Sequence, residues 1–274
     1  MKKILTLLVS VVLIALMLSG CKVISWLSGT GEYSTWGRTS DNPAASEEPS
    51  DAIEPSPAAA AVPTIVSDTY AYNSQYIRSS VEMPVVSGLS DTAAQDKINA
   101  AFKAYGDKAK ADITRMETEC RELVEQNPGL DMVYELMAAY RVDYNKNGLL
   151  CVTLSGYYYQ GGAHGGEQRS SYIFDLATGD RLGLEDLMKD GSDYRSFINA
   201  AIRQEIDKRV KENILYEIAD FEDIGQTPDF YLSDSALVFY FQEYAYFPYA
   251  AGIQEFSVAY TDLAGYLNGA YALG

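Results

Sequence analysis

The sequence predicts an α+β fold, with antiparallel sheets packed against two main helices. Three observations carry this. Ile98, Phe102, Tyr105, Ala109, Ile113, Met116, Cys120 and Leu123 recur at three- and four-residue spacing, the mark of a long amphipathic helix. Tyr194, Phe197, Ile198, Ala201, Ile202 and Ile206 form a second stripe of the same kind. The other periodic segments read as strands joined by short turns, without the strict strand–helix alternation of a parallel α/β fold.

The elements follow in order. Tyr72 to Val86 reads as one or two strands ending near Pro84. Ser90 or Asp91 starts the first helix, of about seven turns, and Asn127-Pro128-Gly129 stops it. Glu135–Tyr144 and Leu149–Gln160 are strands around the hairpin turn Asn145-Lys146-Asn147-Gly148. Gly161 to Gly166 interrupts, and Gln168–Leu176 resumes as a strand. The second helix spans Asp193 to Glu212, with Ser192 or Asp193 as its cap. Phe230–Leu232 and Ala236–Phe241 pair around Ser233-Asp234-Ser235. Glu255–Tyr260 is the last strand, and Asp262 starts a short terminal helix.

The N-terminus follows a different grammar. Lys2 and Lys3 precede an apolar run from Ile4 to Met17, and Leu18-Ser19-Gly20-Cys21 closes it. This looks like a bacterial lipoprotein signal peptide, so residues 1–20 are expected to be removed and Cys21 to carry the lipid. The run is shorter than the ~20 apolar residues of a spanning helix. Residues 21–68 read as a disordered tether rich in Pro, Ala, Ser and acids, holding five of the nine prolines. The folded part divides into a small α+β subdomain, 69–130, and a larger one, 131–274. All but one of the 22 tyrosines lie between residues 69 and 274.

The formal net charge is -17, which argues against nucleic acid as a partner. It also leaves the lipid alone to hold the chain at a membrane, extracytoplasmically. Cys120 and Cys151 either pair in an oxidising compartment or stay as two buried thiols. His164 is the only histidine, so a multi-histidine zinc site is excluded. There is no Gly-x-Ser-x-Gly elbow around a serine nucleophile. Gly161 to Gly166 lacks the Lys-Ser/Thr ending of a phosphate loop. The paired acids Glu185-Asp186 and Glu222-Asp223 read as surface. No catalytic residue, metal or cofactor is expected.

Three segments stand in a telling order. They are Tyr157-Tyr158-Tyr159-Gln160-Gly161-Gly162-Ala163-His164-Gly165, then Tyr172-Ile173-Phe174-Asp175-Leu176-Ala177-Thr178-Gly179 with Leu184-Glu185-Asp186-Leu187, and last Phe241 to Gly252 leading into Phe256. This order resembles the extracytoplasmic domain of RsiV-type anti-sigma factors, a module also found beside peptidoglycan deacetylase domains. The stretch from about Tyr70 to Glu125 resembles the small domain that usually precedes it. One departure is Glu243, where the family loop tends to carry a proline. The resemblance implies a module that binds lysozyme. The expected partner is therefore a lysozyme-type protein or peptidoglycan; the alternative function is a peptidoglycan-binding accessory module for a separate wall enzyme, and the third is that the chain is itself a cell-wall hydrolase.

The residues expected to meet that partner are Tyr159, Gly162, His164, Tyr244, Tyr246, Pro248 and Tyr249. Loop tyrosines supply rigid contact area with a polar tip. Each has a purely structural alternative: packing for the tyrosines, a local backbone bond for His164, loop shape for Pro248. The anti-sigma relatives join such a module to a cytoplasmic partner through a spanning helix. Here the expected anchor is a lipid, which points to a tethered binder rather than a transmembrane signalling protein.

Overall fold

In the first half of the chain, β1 (Thr64–Asn73) and β2 (Ile77–Ser87) precede the helix α1 (Thr92–Gln126). Then come β3 (Tyr134–Lys146), β4 (Leu149–Tyr159) and β5 (Gly166–Asp175). The second half holds α2 (Leu184–Leu187), α3 (Tyr194–Lys211), β6 (Phe230–Leu232), β7 (Ala236–Phe241), a 3-10 turn at Tyr249–Ala251, β8 (Gln254–Ala259) and α4 (Tyr260–Leu263). This computed structural model describes residues 62–215 and 220–273. The expected leader, Cys21 and the tether as far as residue 61 lie outside the described residues. No described helix is long and apolar enough to cross a membrane.

The fold is α+β, with a five-stranded sheet ordered β1-β2-β3-β4-β5 and a three-stranded sheet ordered β6-β7-β8. All pairs are antiparallel except β2 with β3, so the large sheet is mixed rather than wholly antiparallel. The cause is α1: its 35 residues carry the chain roughly 50 Å back along the sheet, the crossover a parallel pair requires. Asp91 caps it, its carboxylate accepting from Ala93 N at 2.8 Å and Ala94 N at 3.2 Å. The expected boundary at 130/131 falls between α1 and β3, within one sheet and one core.

The expected tether boundary at residue 68 falls inside a strand. Residues 64–68 belong to β1 and pair with Met83–Ser87. β1 is an edge strand exposed on both faces, so no apolar period announces it. Pro84 does not end β2. It lies past Val81, the last residue paired with β3, where β2 has β1 alone as neighbour, an edge setting that tolerates proline. Asn147 (φ 55°) and Gly148 (φ 77°) supply the two positive φ angles of a tight β3–β4 hairpin. Asp193 occupies the α3 cap position but makes no side-chain capping bond.

Strand β4 feeds two cores, because successive side chains point to opposite faces. Leu150, Val152 and Leu154 join Ile98, Phe102, Ile113 and Met116 of α1. Leu149 and Cys151 join the second core, with Ile198 and Ile202 of α3 and Leu237, Phe239 and Phe256 of the small sheet.

This arrangement decides the cysteines. Cys120 and Cys151 are both free, so the disulfide considered above is not formed. Cys120 faces the first core and Cys151 the second, with the large sheet between them. A disulfide needs Cα atoms within about 7 Å and converging Cβ vectors. The Cys120 thiol donates to the Met132 carbonyl at 3.5 Å, and Cys151 Sγ accepts from Leu232 N at 3.4 Å. Desolvation raises both thiol pKa values. A maleimide is therefore expected to label Cys120 and Cys151 only after denaturation. Native labelling at the rate of an open thiol, read by mass spectrometry, would contradict this arrangement.

Candidate functional site

The site is built where the loop after β4 meets the loop after β7. Tyr157 and Tyr159 lie on one face of β4, and Tyr158 turns to the first core. Tyr157 is 39% exposed, the wet face that three successive tyrosines require. The Tyr159 hydroxyl donates to the Gly162 carbonyl at 3.2 Å, tying the glycine loop to its strand. Gly165 is dictated by contact: a Cβ there would sit 2.4 Å from the Tyr158 carbonyl oxygen and 2.5 Å from the Tyr157 ring. The glycines thus let the loop fold back on β4.

His164 is exposed, and its Nδ1 lies 2.8 Å from the Gly165 carbonyl oxygen. That bond requires the proton on Nδ1, which leaves Nε2 of the neutral ring as an acceptor. The imidazole lies flat on Tyr249, with centroids 3.7 Å apart and planes at 17°. Tyr244 stacks on Tyr249 at 5.8 Å and 25°. Such ring pairs contribute about 0.5–1.5 kcal/mol beyond area burial. Tyr244 is 65% exposed and has φ 64°, a left-handed conformation uncommon for tyrosine. The backbone strain holds an aromatic side chain outward.

The loop is held against β5 by side chains that imitate a strand. Gln242 accepts from Arg169 N at 3.1 Å and donates to Arg169 O at 2.8 Å. Glu243 accepts from Glu167 N at 3.0 Å. Farther along, Arg181 donates to Ser171 O and Leu182 N to Ile173 O. The edge of β5 is thereby closed to pairing with another chain. Desolvation raises the Glu243 pKa, against the lowering effect of its bond to Glu167 N. A proline at 243 would supply no carboxylate for this bond.

Of the residues expected to meet a partner, the structure brings His164, Tyr244 and Tyr249 into one stack. Tyr159 and Gly162 share their bond within the glycine loop. Tyr246 stands outside the stack: half-buried, it lies edge-on to Phe221 at 5.3 Å and Phe241 at 5.1 Å, and its hydroxyl donates to the Asp223 carbonyl. The apolar wall there outweighs exposure of one ring. Pro248 sets the entry to the 3-10 turn, with φ −64° and a trans bond. Gln242 and Glu243 carry no sequence signal of their function, which depends on the β5 register. Tyr157 was legible in the tyrosine triplet. The acid pairs are exposed, and Asp186 and Asp223 bond the backbone N–H groups of Gly183 and Gly225. Among the described residues, no group of three or more His, Cys, Asp or Glu is placed to hold a metal ion.

Comparison with known proteins divides the chain. Residues 70–167 match the family model described as Deacetylase PdaC. Residues 185–261 match the model described as Protein of unknown function (DUF3298). No curated protein matches. The chain is similar in structure to a DUF3298 family member from Bacteroides fragilis NCTC 9343, with TM-score 0.60 and 18% identity over 76% of this chain and 95% of that one. A DUF3298 family protein from Pseudomonas aeruginosa PAO1 aligns at TM-score 0.49 and 17% identity, over 76% and 94% of the two chains. At such identity the Bacteroides likeness speaks for the fold alone. The α+β architecture is thus shared with a DUF3298 structure, and the chain joins a PdaC-like segment to a DUF3298-like one.

Proposed function

We propose that this protein is a non-enzymatic, extracytoplasmic binding module, anchored by lipid at Cys21, that engages a cationic lysozyme-type protein. The observation that carries this reading is the exposed Tyr244–Tyr249–His164 stack, with Tyr244 held outward in a strained backbone. Strain of this kind concentrates at binding surfaces, and rigid tyrosines bind at low entropic cost. Glu243 lies beside the rings of His164 and Tyr249, on a chain of net charge -17, so a cationic partner is steered toward them. The RsiV-type resemblance supports the same partner class. The flat faces of the stacked rings favour one second reading, a wall glycan.

Calorimetry of the full chain against a lysozyme tests the first reading. Binding is expected at low salt and should weaken as salt rises. Tyr249→Ala removes the middle ring and is expected to cost about 2 kcal/mol, roughly 30-fold in Kd. Absence of binding at low salt would overturn the lysozyme reading. Co-sedimentation with purified cell wall, lost in Tyr249→Ala, would favour the glycan.

A further inference from the structure

A cavity of about 440 Å³ opens farther along β5, beside Ser170, Ser171 and Ile173. A smaller one of about 200 Å³ adjoins it and shares Thr227, Pro228 and Asp229 as a common wall. The larger volume is in the range of small-ligand sites. Its floor is apolar: Ile173, Leu184 and Phe230 are buried core residues that also line it. Arg181 and Asp229 stand over that floor, with the exposed carboxylates of Glu185 and Asp186 also on its rim.

The first charge is Arg181. Its guanidinium lies over the Tyr172 ring, 4.2 Å from the centroid, and Nη2 donates to the Ser171 carbonyl at 3.2 Å. Stacking and one bond fix the plane of a fork suited to a carboxylate. The second is Asp229. Its Oδ2 accepts from Gln242 Nε2 at 2.9 Å, the same amide that closes the β5 edge. Asp229 is exposed where it lines the cavity, and partial desolvation raises its pKa. Arg181 acts on it as a charge across the cavity. A ligand ammonium set beside this carboxylate would form a charge-assisted hydrogen bond with it.

We infer that this cavity binds a short zwitterionic peptide, its carboxylate on Arg181, its ammonium on Asp229 and its aliphatic body on Ile173, Leu184 and Phe230. Opposed charges over an apolar floor complement a molecule with two charged ends and a hydrocarbon middle. A wholly apolar ligand would use neither Arg181 nor Asp229, a simple anion would face the three carboxylates of the rim, and a simple cation would leave Arg181 unused. The site contains none of the stacked rings, so it stands or falls separately from the lysozyme reading.

The test uses the full chain and the dipeptide alanyl-leucine, followed by calorimetry and amide chemical shifts. The free dipeptide is expected to bind with a Kd near or below about 1 mM. N-acetyl-alanyl-leucine and alanyl-leucinamide each lose one charged end and should bind about tenfold or more weakly. Arg181→Gln should weaken the free dipeptide to the level of the amide and leave the amide unaffected. Asp229→Asn should do the same for the acetylated form. Shifts should centre on Ser171 and Phe230, and Tyr249→Ala should leave them in place. The inference is overturned if no binding occurs at about 10 mM, if the capped forms bind as well as the free one, or if the shifts centre on the ring stack. The capped ligands probe both contacts in the unaltered protein, so a misfolded variant cannot mask the result.

Discussion

Gly179→Ala is expected to destabilise the protein by about 3 kcal/mol or more. Gly179 has φ 72°, and a Cβ there would stand 2.4 Å from the Ala94 carbonyl oxygen and 2.7 Å from its Cα. Both are backbone atoms of the first turn of α1 and cannot rotate away. The β5 turn must therefore separate from the helix. That separation breaks the bonds from Lys97 Nζ to Thr178 O and Asp180 Oδ1, each 3.0 Å. Gly88→Ala is the control, since its φ is 89° and nothing lies within 4 Å. It should cost only the left-handed penalty of about 1–2 kcal/mol. Thermal melts should show Gly179→Ala lowered by roughly 10 °C, with Gly88→Ala well above it. Equal melting of the two would refute the close approach of turn and helix.

Phe102→Ala is expected to cost about 3–5 kcal/mol. The ring is fully buried in the middle of α1. It meets Phe174 edge-on at 5.5 Å and 75°, and Tyr172 at 5.9 Å. Truncation removes the aromatic contacts and leaves a cavity that the surrounding helix and sheet cannot fill without moving. Phe102→Leu keeps much of the volume and should lose less than half as much. Urea unfolding is the measurement, with an unchanged slope as the sign that only stability has altered. A loss near zero for Phe102→Ala would mean that α1 does not lie on this face.

The two helices and the hairpins were legible because their signals are local. The stripe from Ile98 to Cys120 is buried along one face of α1, and Asp91 does cap it. Phe230–Leu232 and Ala236–Phe241 pair around the expected turn. β1 escaped because neither face is buried, so its sequence carries no period. The parallel pairing of β2 and β3 escaped because register across a long crossover is not encoded by either strand alone. Within the site, exposed tyrosines and the glycine loop were readable as types. Nothing in the sequence separated Tyr249, which joins the stack, from Tyr246, which packs half-buried against the second core.

Spacing over a few residues and composition already encode the α+β class, the long helix and its cap, the acidic character and the aromatic richness of two loops. Which tyrosines face outward, where Gln242 and Glu243 close the β5 edge, and which side of the sheet each cysteine occupies follow from packing across the folded chain. These depend on strand register and layer order, in which residues some 75 positions apart become neighbours. A one-residue change of register would move every side chain of β5 to its other face and dismantle the site.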